Sequence, residues 1–204
     1  SKDCMYIPPY FAVTDRDEIF AFIEANAFGQ LISIVDGRHC ATHIPFLLSP
    51  DKSCLLTHVA RQNPQHLEIE GQEALVTLAG PHGYISPSWY AGAGVPTWNY
   101  QAVHLYGQCR LISEPQQLSA IVEGLSKKYE SGFAEPWQPQ YGSSMLSAII
   151  GIEITISDIQ CQYKLSQNRS TEDQGRVIQQ LQSADAHVLA DAMAKALTKV
   201  KPQR

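Results

Sequence analysis

The apolar positions of this chain change their spacing repeatedly, and each change predicts a new element. Thr14 or Asp15 can cap a helix whose first turn holds Asp17 and Glu18. Ile19, Phe20, Phe22 and Ile23 supply its apolar side, and Gly29 is the expected stop. Residues 30–35 then read as a strand, Asp36-Gly37 as a tight hairpin turn, and 38–48 as the return strand. After a turn at Pro50-Asp51 comes a third strand at 53–59. Asn63-Pro64 breaks the pattern and opens a short helix through Glu70. The nearly continuous apolar run 73–79 predicts a strand buried on both sides, followed by a short strand at 82–86. Residues 87–96 form a loop with a mobile centre at Ala91-Gly92-Ala93-Gly94, and 97–112 is the longest strand expected.

The second half is more helical. Pro115 opens a helix through about Tyr129, with Leu118, Ile121, Val122 and Leu125 at helical spacing. A proline-rich loop at 132–142, a short helix at 143–150 and two extended pieces at 151–157 and 159–165 follow. Helices at 171–182 and 186–200 close the chain. Many antiparallel strands with inserted and appended helices predict an α+β, mainly antiparallel β fold, a closed or nearly closed barrel with peripheral and C-terminal helices. The expected organisation is a single domain over 1–204, with 170–204 as a helical appendage.

Composition narrows the function classes. The 204 residues carry a net charge of −5, so nucleic-acid binding would need a local basic patch. Five scattered cysteines with no C-x-x-C pair are expected to be reduced thiols of a cytoplasmic protein, neither a disulfide framework nor a zinc site. No signal peptide is read at the start, no apolar stretch is long enough to span a bilayer, and residues 1–4 precede Met5. The sequence has no G-x-x-x-x-G-K-[ST], G-x-G-x-x-G or G-x-S-x-G. His39 and His43 are four apart without the helical glutamate of a metalloprotease, and no metal site is expected.

Three segments carry candidate chemistry. Alternation along 95–107 places Trp98, Tyr100, Ala102, His104 and Tyr106 on one face, and Thr97, Asn99, Gln101, Val103 and Leu105 on the other. The aromatic face suits either a planar ligand or barrel core packed under a helix. At Thr57–Asn63-Pro64, free N–H groups at a helix start, with Thr57, His58 and Arg61, suit a phosphate, or form a solvated corner. Lys164-Leu165-Ser166-Gln167-Asn168-Arg169 can be a second anion clamp or a plain approach to the helix that Ser170 and Thr171 start.

In order along the chain, M-Y-I-P (5–8), A-T-H-I-P (41–45), H-V-A-R-Q-N-P (58–64), G-P-H-G-Y-I-S-P-S-W-Y (80–90), V-P-T-W-N-Y (95–100) and K-L-S-Q-N-R (164–169) resemble the PaiB-type negative transcriptional regulators. The resemblance implies an FMN-binding split β-barrel, a homodimer with flavin at the subunit interface, and no membrane. It implies cofactor contacts from Thr42, His43, Thr57, His58, Arg61, Trp98, Asn99, Tyr100, Lys164, Gln167 and Arg169, with 98–100 and 164–169 reaching the partner's flavin. A complete set of oxidase catalytic residues is not matched, and no catalytic residue is assigned. The expected function is an FMN-binding dimeric transcriptional regulator. The competing expectation is a flavin- or haem-dependent oxidoreductase on the same barrel, with His43, His58, His82 or His104 as haem ligands and 90–95 as a lid. DNA, if bound directly, would meet the last two helices and the basic end at Lys195, Lys199, Lys201 and Arg204. A partnership with an acetyltransferase-like protein has no support in the sequence.

Overall fold

The computed structural model describes residues 4–140 and 142–199. The expected features at residues 1–3, Val200, Lys201 and Arg204 lie outside these. Seven strands form one sheet in the order β2-β1-β5-β6-β7-β4-β3. They are β1 (Phe28–Val35), β2 (Arg38–Pro45), β3 (Leu47–Leu48), β4 (Cys54–Ala60), β5 (Glu73–Ile85), β6 (Thr97–Ile112) and β7 (Ile149–Lys164). The helices are α1 (Arg16–Ala25), α2 (Pro115–Glu130), α3 (Ser143–Leu146), α4 (Thr171–Ser183) and α5 (His187–Thr198).

The chain packs as two compact units. One contains residues 20–78 and 104–159. Its β1–β2 hairpin turns at Asp36 and Gly37, both at positive φ (49° and 72°), as a two-residue turn requires. Gly29 does not end the first helix. It lies inside β1, where a Cβ would come within 2.1 Å of the Thr77 carbonyl oxygen, so the close passage of β5 explains the glycine. Phe46 interrupts the expected return strand and is fully buried, separating β2 from β3. Under α2, Leu118, Ile121 and Leu125 pack on Ile112, with Leu47, Leu56, Leu146 and Ile149 around them.

The other unit contains residues 4–19, 79–103 and 160–199. It holds the later part of β5, the start of β6, the end of β7 and both C-terminal helices. Helix α4 is capped by Ser170, whose hydroxyl accepts the Asp173 N–H at 3.1 Å. Val177, Ile178 and Leu181 of α4 and Leu189, Ala190 and Met193 of α5 are buried. Glu73–Ile85 and Ile149–Lys164 are each one strand where two pieces were expected. Pro81 lies inside β5, beyond the last β1 partner at Leu78. The 143–150 helix is a single turn, Ser143–Leu146, and Ile149 already begins β7.

Candidate functional site

In the first unit, the corner after β4 is held by a buried amide. Pro64–Leu67 is one 3-10 turn, and Asn63 caps it by accepting the Gln65 N–H at 3.0 Å. Gln65 is 1% exposed. Its Nε2 donates to Leu31 O (3.1 Å), Ser33 Oγ (2.9 Å) and Cys40 O (3.1 Å), and its Oε1 accepts from the Thr42 hydroxyl. Asn63 Nδ2 in turn donates to Thr42 Oγ1 at 2.9 Å. Several groups of the helix start expected to face a phosphate are thus engaged within the fold. Proline has no N–H to offer, the Gln65 N–H is capped, and Thr42 and Asn63 serve the network. Thr57 is engaged likewise: it is fully buried and donates to Pro45 O at 2.8 Å.

Two groups at this corner keep unused donor capacity. Arg61 is exposed and donates only through Nε, to Ser147 O at 2.7 Å, so its two Nη groups have no partner among the described residues. His58 is half-buried with Nδ1 unpartnered, and burial lowers its pKa and keeps the ring neutral. His43 is exposed, pairs with Gln30 Nε2 at 3.0 Å and lies 6.5 Å from the Phe28 ring.

In the second unit, a cleft of about 120 Å³ is lined by Phe11, Tyr90, Val95, Thr97, Asn99, Lys164, Ser166, Asn168 and Arg169. The alternation expected along β6 is present, with the faces resolved. Asn99, Val103, Leu105 and Cys109 point to core, whereas Trp98 is 48% exposed and Tyr100 half-buried. Trp98 stacks on His82 (5.9 Å between centroids), lies 6.2 Å from Tyr84, and donates its indole N–H to His82 Nδ1 at 3.1 Å. His104 is half-buried, and burial lowers its pKa.

Asn99 is 1% exposed; its Nδ2 donates to Ser166 Oγ (2.9 Å) and Met193 Sδ (3.4 Å), while its Oδ1 has no partner. Lys164 donates to Thr97 Oγ1 and, at 3.2 Å, to Trp98 O; burial lowers its pKa, and it forms no ion pair among the described residues. Gln167 is used at both ends, accepting the Leu165 N–H (2.7 Å) and donating to Tyr163 O (2.6 Å). Arg169 pairs with Asp173 (2.6 Å), donates to Ala93 O (3.1 Å) and lies over the Tyr90 ring (3.9 Å). The Ala91 N–H, at 2.8 Å, and then Arg169 hold the Asp173 carboxyl below the ordinary carboxylate range. Arg176 binds Trp89 O at 2.8 Å. The loop read as mobile is thus fastened by three hydrogen bonds, from Ala91 N–H to Asp173, from Arg169 to Ala93 O and from Arg176 to Trp89 O, and by the Arg169–Tyr90 ring contact.

The sequence did not single out Phe11, Tyr90 or Thr97 as cleft residues. Asn99 carried a usable signal: an amide on the same strand face as Val103 and Leu105.

Comparison with known proteins defines the class first. The flavocytochrome Anf3 of Azotobacter vinelandii matches with a TM-score of 0.65 at 18% identity, over 79% of this chain and 74% of that one. An FAD- and haem-binding protein of Mycobacterium smegmatis matches with a TM-score of 0.60 at 15% identity, over 79% and 77%. The fold is that of the flavin-binding split β-barrels, mainly antiparallel with peripheral and C-terminal helices. Residues 5–158 match the family described as "Putative FMN-binding domain", and the chain belongs to that family. It is 41% identical over 206 residues to the PaiB-type protein of Bacillus subtilis (strain 168) named "Protease synthase and sporulation protein PAI 2", covering 96% of this chain and 99% of that one. No helix among the described residues is long and apolar enough to cross a membrane.

Proposed function

We propose that this chain is an FMN-binding, homodimeric regulator of transcription of the PaiB type. The observation that carries the FMN half is Arg61. Its guanidinium is anchored by one hydrogen bond through Nε and keeps both Nη groups open, the geometry that a phosphate monoester accepts as a forked pair of charge-assisted bonds. His58, in the same strand-end segment, keeps a buried Nδ1 without a partner. Gln167 and Arg169 hold the backbone of their own unit together, so the phosphate is assigned to Arg61. A bound flavin would supply an isoalloxazine able to take up electrons; Arg61 would hold and orient it.

The regulatory half is supported by the name of the Bacillus subtilis relative, which ties that protein to protease synthesis and sporulation. The inward face of α5, Leu189, Ala190 and Met193, is buried and Lys199 pairs with Glu18, so a contact with DNA would have to use the outward face with Lys195. Titration of FMN fluorescence tests the ligand. Saturable quenching by the protein, weakened about tenfold to a hundredfold in Arg61→Ala, is the expected result. A gel shift on the upstream region of its own gene at physiological salt tests direct DNA binding, and light scattering of the purified protein tests the dimer.

A further inference from the structure

The cleft of the second unit contains polar groups with hydrogen-bonding capacity left over once the fold and a phosphate on Arg61 are satisfied. Lys164 places an ammonium there with two of its three donors engaged, on Thr97 Oγ1 and Trp98 O, and one left. Thr97 Oγ1 is an acceptor in that bond, so its hydroxyl hydrogen is free to donate. Ser166 Oγ accepts from Asn99 Nδ2, and its hydroxyl hydrogen is free in the same way. The cleft thus holds three open donors around one cation with no carboxylate partner among the described residues. Arg169 adds no net charge, because Asp173 neutralises it at 2.6 Å.

Asn99, which lines the same cleft, carries one unpartnered acceptor. Asn99 Oδ1 is buried without a partner, at a cost that a native protein ordinarily avoids. The arrangement is held in place. Ser166 sits at φ 68°, a left-handed conformation that is strained for serine, and the Asn99 bond fixes its side chain. Phe11, Tyr90 and Val95 close the rest with apolar surface. A matching ligand has two acceptor oxygens sharing one negative charge, one hydroxyl donor on the adjacent carbon, and a small apolar remainder. A cleft of about 120 Å³ limits it to a few heavy atoms, well below the volume of a flavin ring system.

We propose that this cleft is a binding site for a small 2-hydroxycarboxylate, whose carboxylate lies on Lys164, Thr97 and Ser166 and whose hydroxyl donates to Asn99 Oδ1. The assignment does not depend on FMN. The site would give a regulator a means of sensing a small organic acid. Its occupant would also bridge β6 and the end of β7, tightening the residues that lead into α4.

The test is a calorimetric titration of the full chain with L-lactate, acetate and lactamide, with and without added FMN. The expected result is lactate binding at least about tenfold tighter than acetate, which lacks the hydroxyl, or lactamide, which lacks the charge. Lys164→Met should abolish lactate binding. Asn99→Asp, which sets a carboxylate beside Lys164, should abolish it too while keeping an acceptor for the Ser166 hydroxyl, so a folded variant is retained. In ¹⁵N spectra, lactate should shift the Asn99 side-chain amide and leave that of Gln65 unmoved. Equal binding of lactate and acetate, undiminished binding to folded Lys164→Met, or no lactate binding to the folded wild type would overturn the proposal. An FMN failure would appear separately, in the fluorescence titration of Arg61→Ala.

Discussion

Two amides, each 1% exposed, sit in the two units and are treated in opposite ways. Gln65 satisfies four neighbours, three through Nε2 and one through Oε1, and ties its 3-10 turn to the β1–β2 hairpin. Asn99 uses only its nitrogen and leaves its oxygen without a partner in a residue that lines the same cleft as Lys164. Burial is equal, so burial does not separate structure from function here. The difference lies in whether hydrogen-bonding capacity is complete. The same contrast separates Thr57, fully buried on the Pro45 carbonyl, from Arg61, four residues on, with two free Nη groups.

The sharpest way to break the contrast is to delete the complete network. Gln65→Leu strands the Leu31 and Cys40 carbonyls, Ser33 and Thr42 together, and should cost about 3 kcal/mol or more in urea unfolding. A loss under 1 kcal/mol, by the same measure, would mean that the network is ornamental. Asp173→Ala comes next. It removes the partner of Arg169 and the acceptor for Ala91 N–H, and should cost about 2 kcal/mol and expose the 90–94 loop to limited proteolysis. Asn99→Leu should cost about 1 kcal/mol at most, since it removes a bare carbonyl along with one good bond. A cost as large as that of Gln65→Leu would erase the distinction between the two amides.

The smallest effect concerns pH. Burial lowers the pKa of His58 and His104 below the ordinary 6.5, so between that value and the lowered one the unfolded chain binds protons that the folded chain refuses. The stability this confers is present in full above pH 6.5 and is lost as pH falls through the lowered folded values. Urea midpoints measured across this range should decline toward acid, and His58→Phe should flatten the slope. An unchanged slope in that variant would show that His58 titrates freely in the native state.

The fold was largely legible because its cues are local. Asp36-Gly37 marks its turn, Pro115 opens its helix, and the strand at 97–112 has the bounds expected of it. The misses arise where distant backbone decides. Gly29 looks like a helix stop until β5 passes against it. The sites were legible as segments and not as roles. Thr57 and Arg61 belong to one motif, yet one serves the core and the other faces solvent. Alternation separated the faces of β6, but the aromatic side turned out to be the exposed one, and the residue with an unmet bond was the amide on the core side. Which polar group is left wanting a partner depends on contacts 67 residues apart, between Asn99 and Ser166, and no local pattern encodes that.

The most direct test of the central claim is an FMN fluorescence titration of the wild type alongside Arg61→Ala. Saturable quenching with the wild type, and a dissociation constant about tenfold to a hundredfold larger for a folded Arg61→Ala, is the predicted outcome. No quenching by the wild type, or equal affinity in the two proteins, would contradict it.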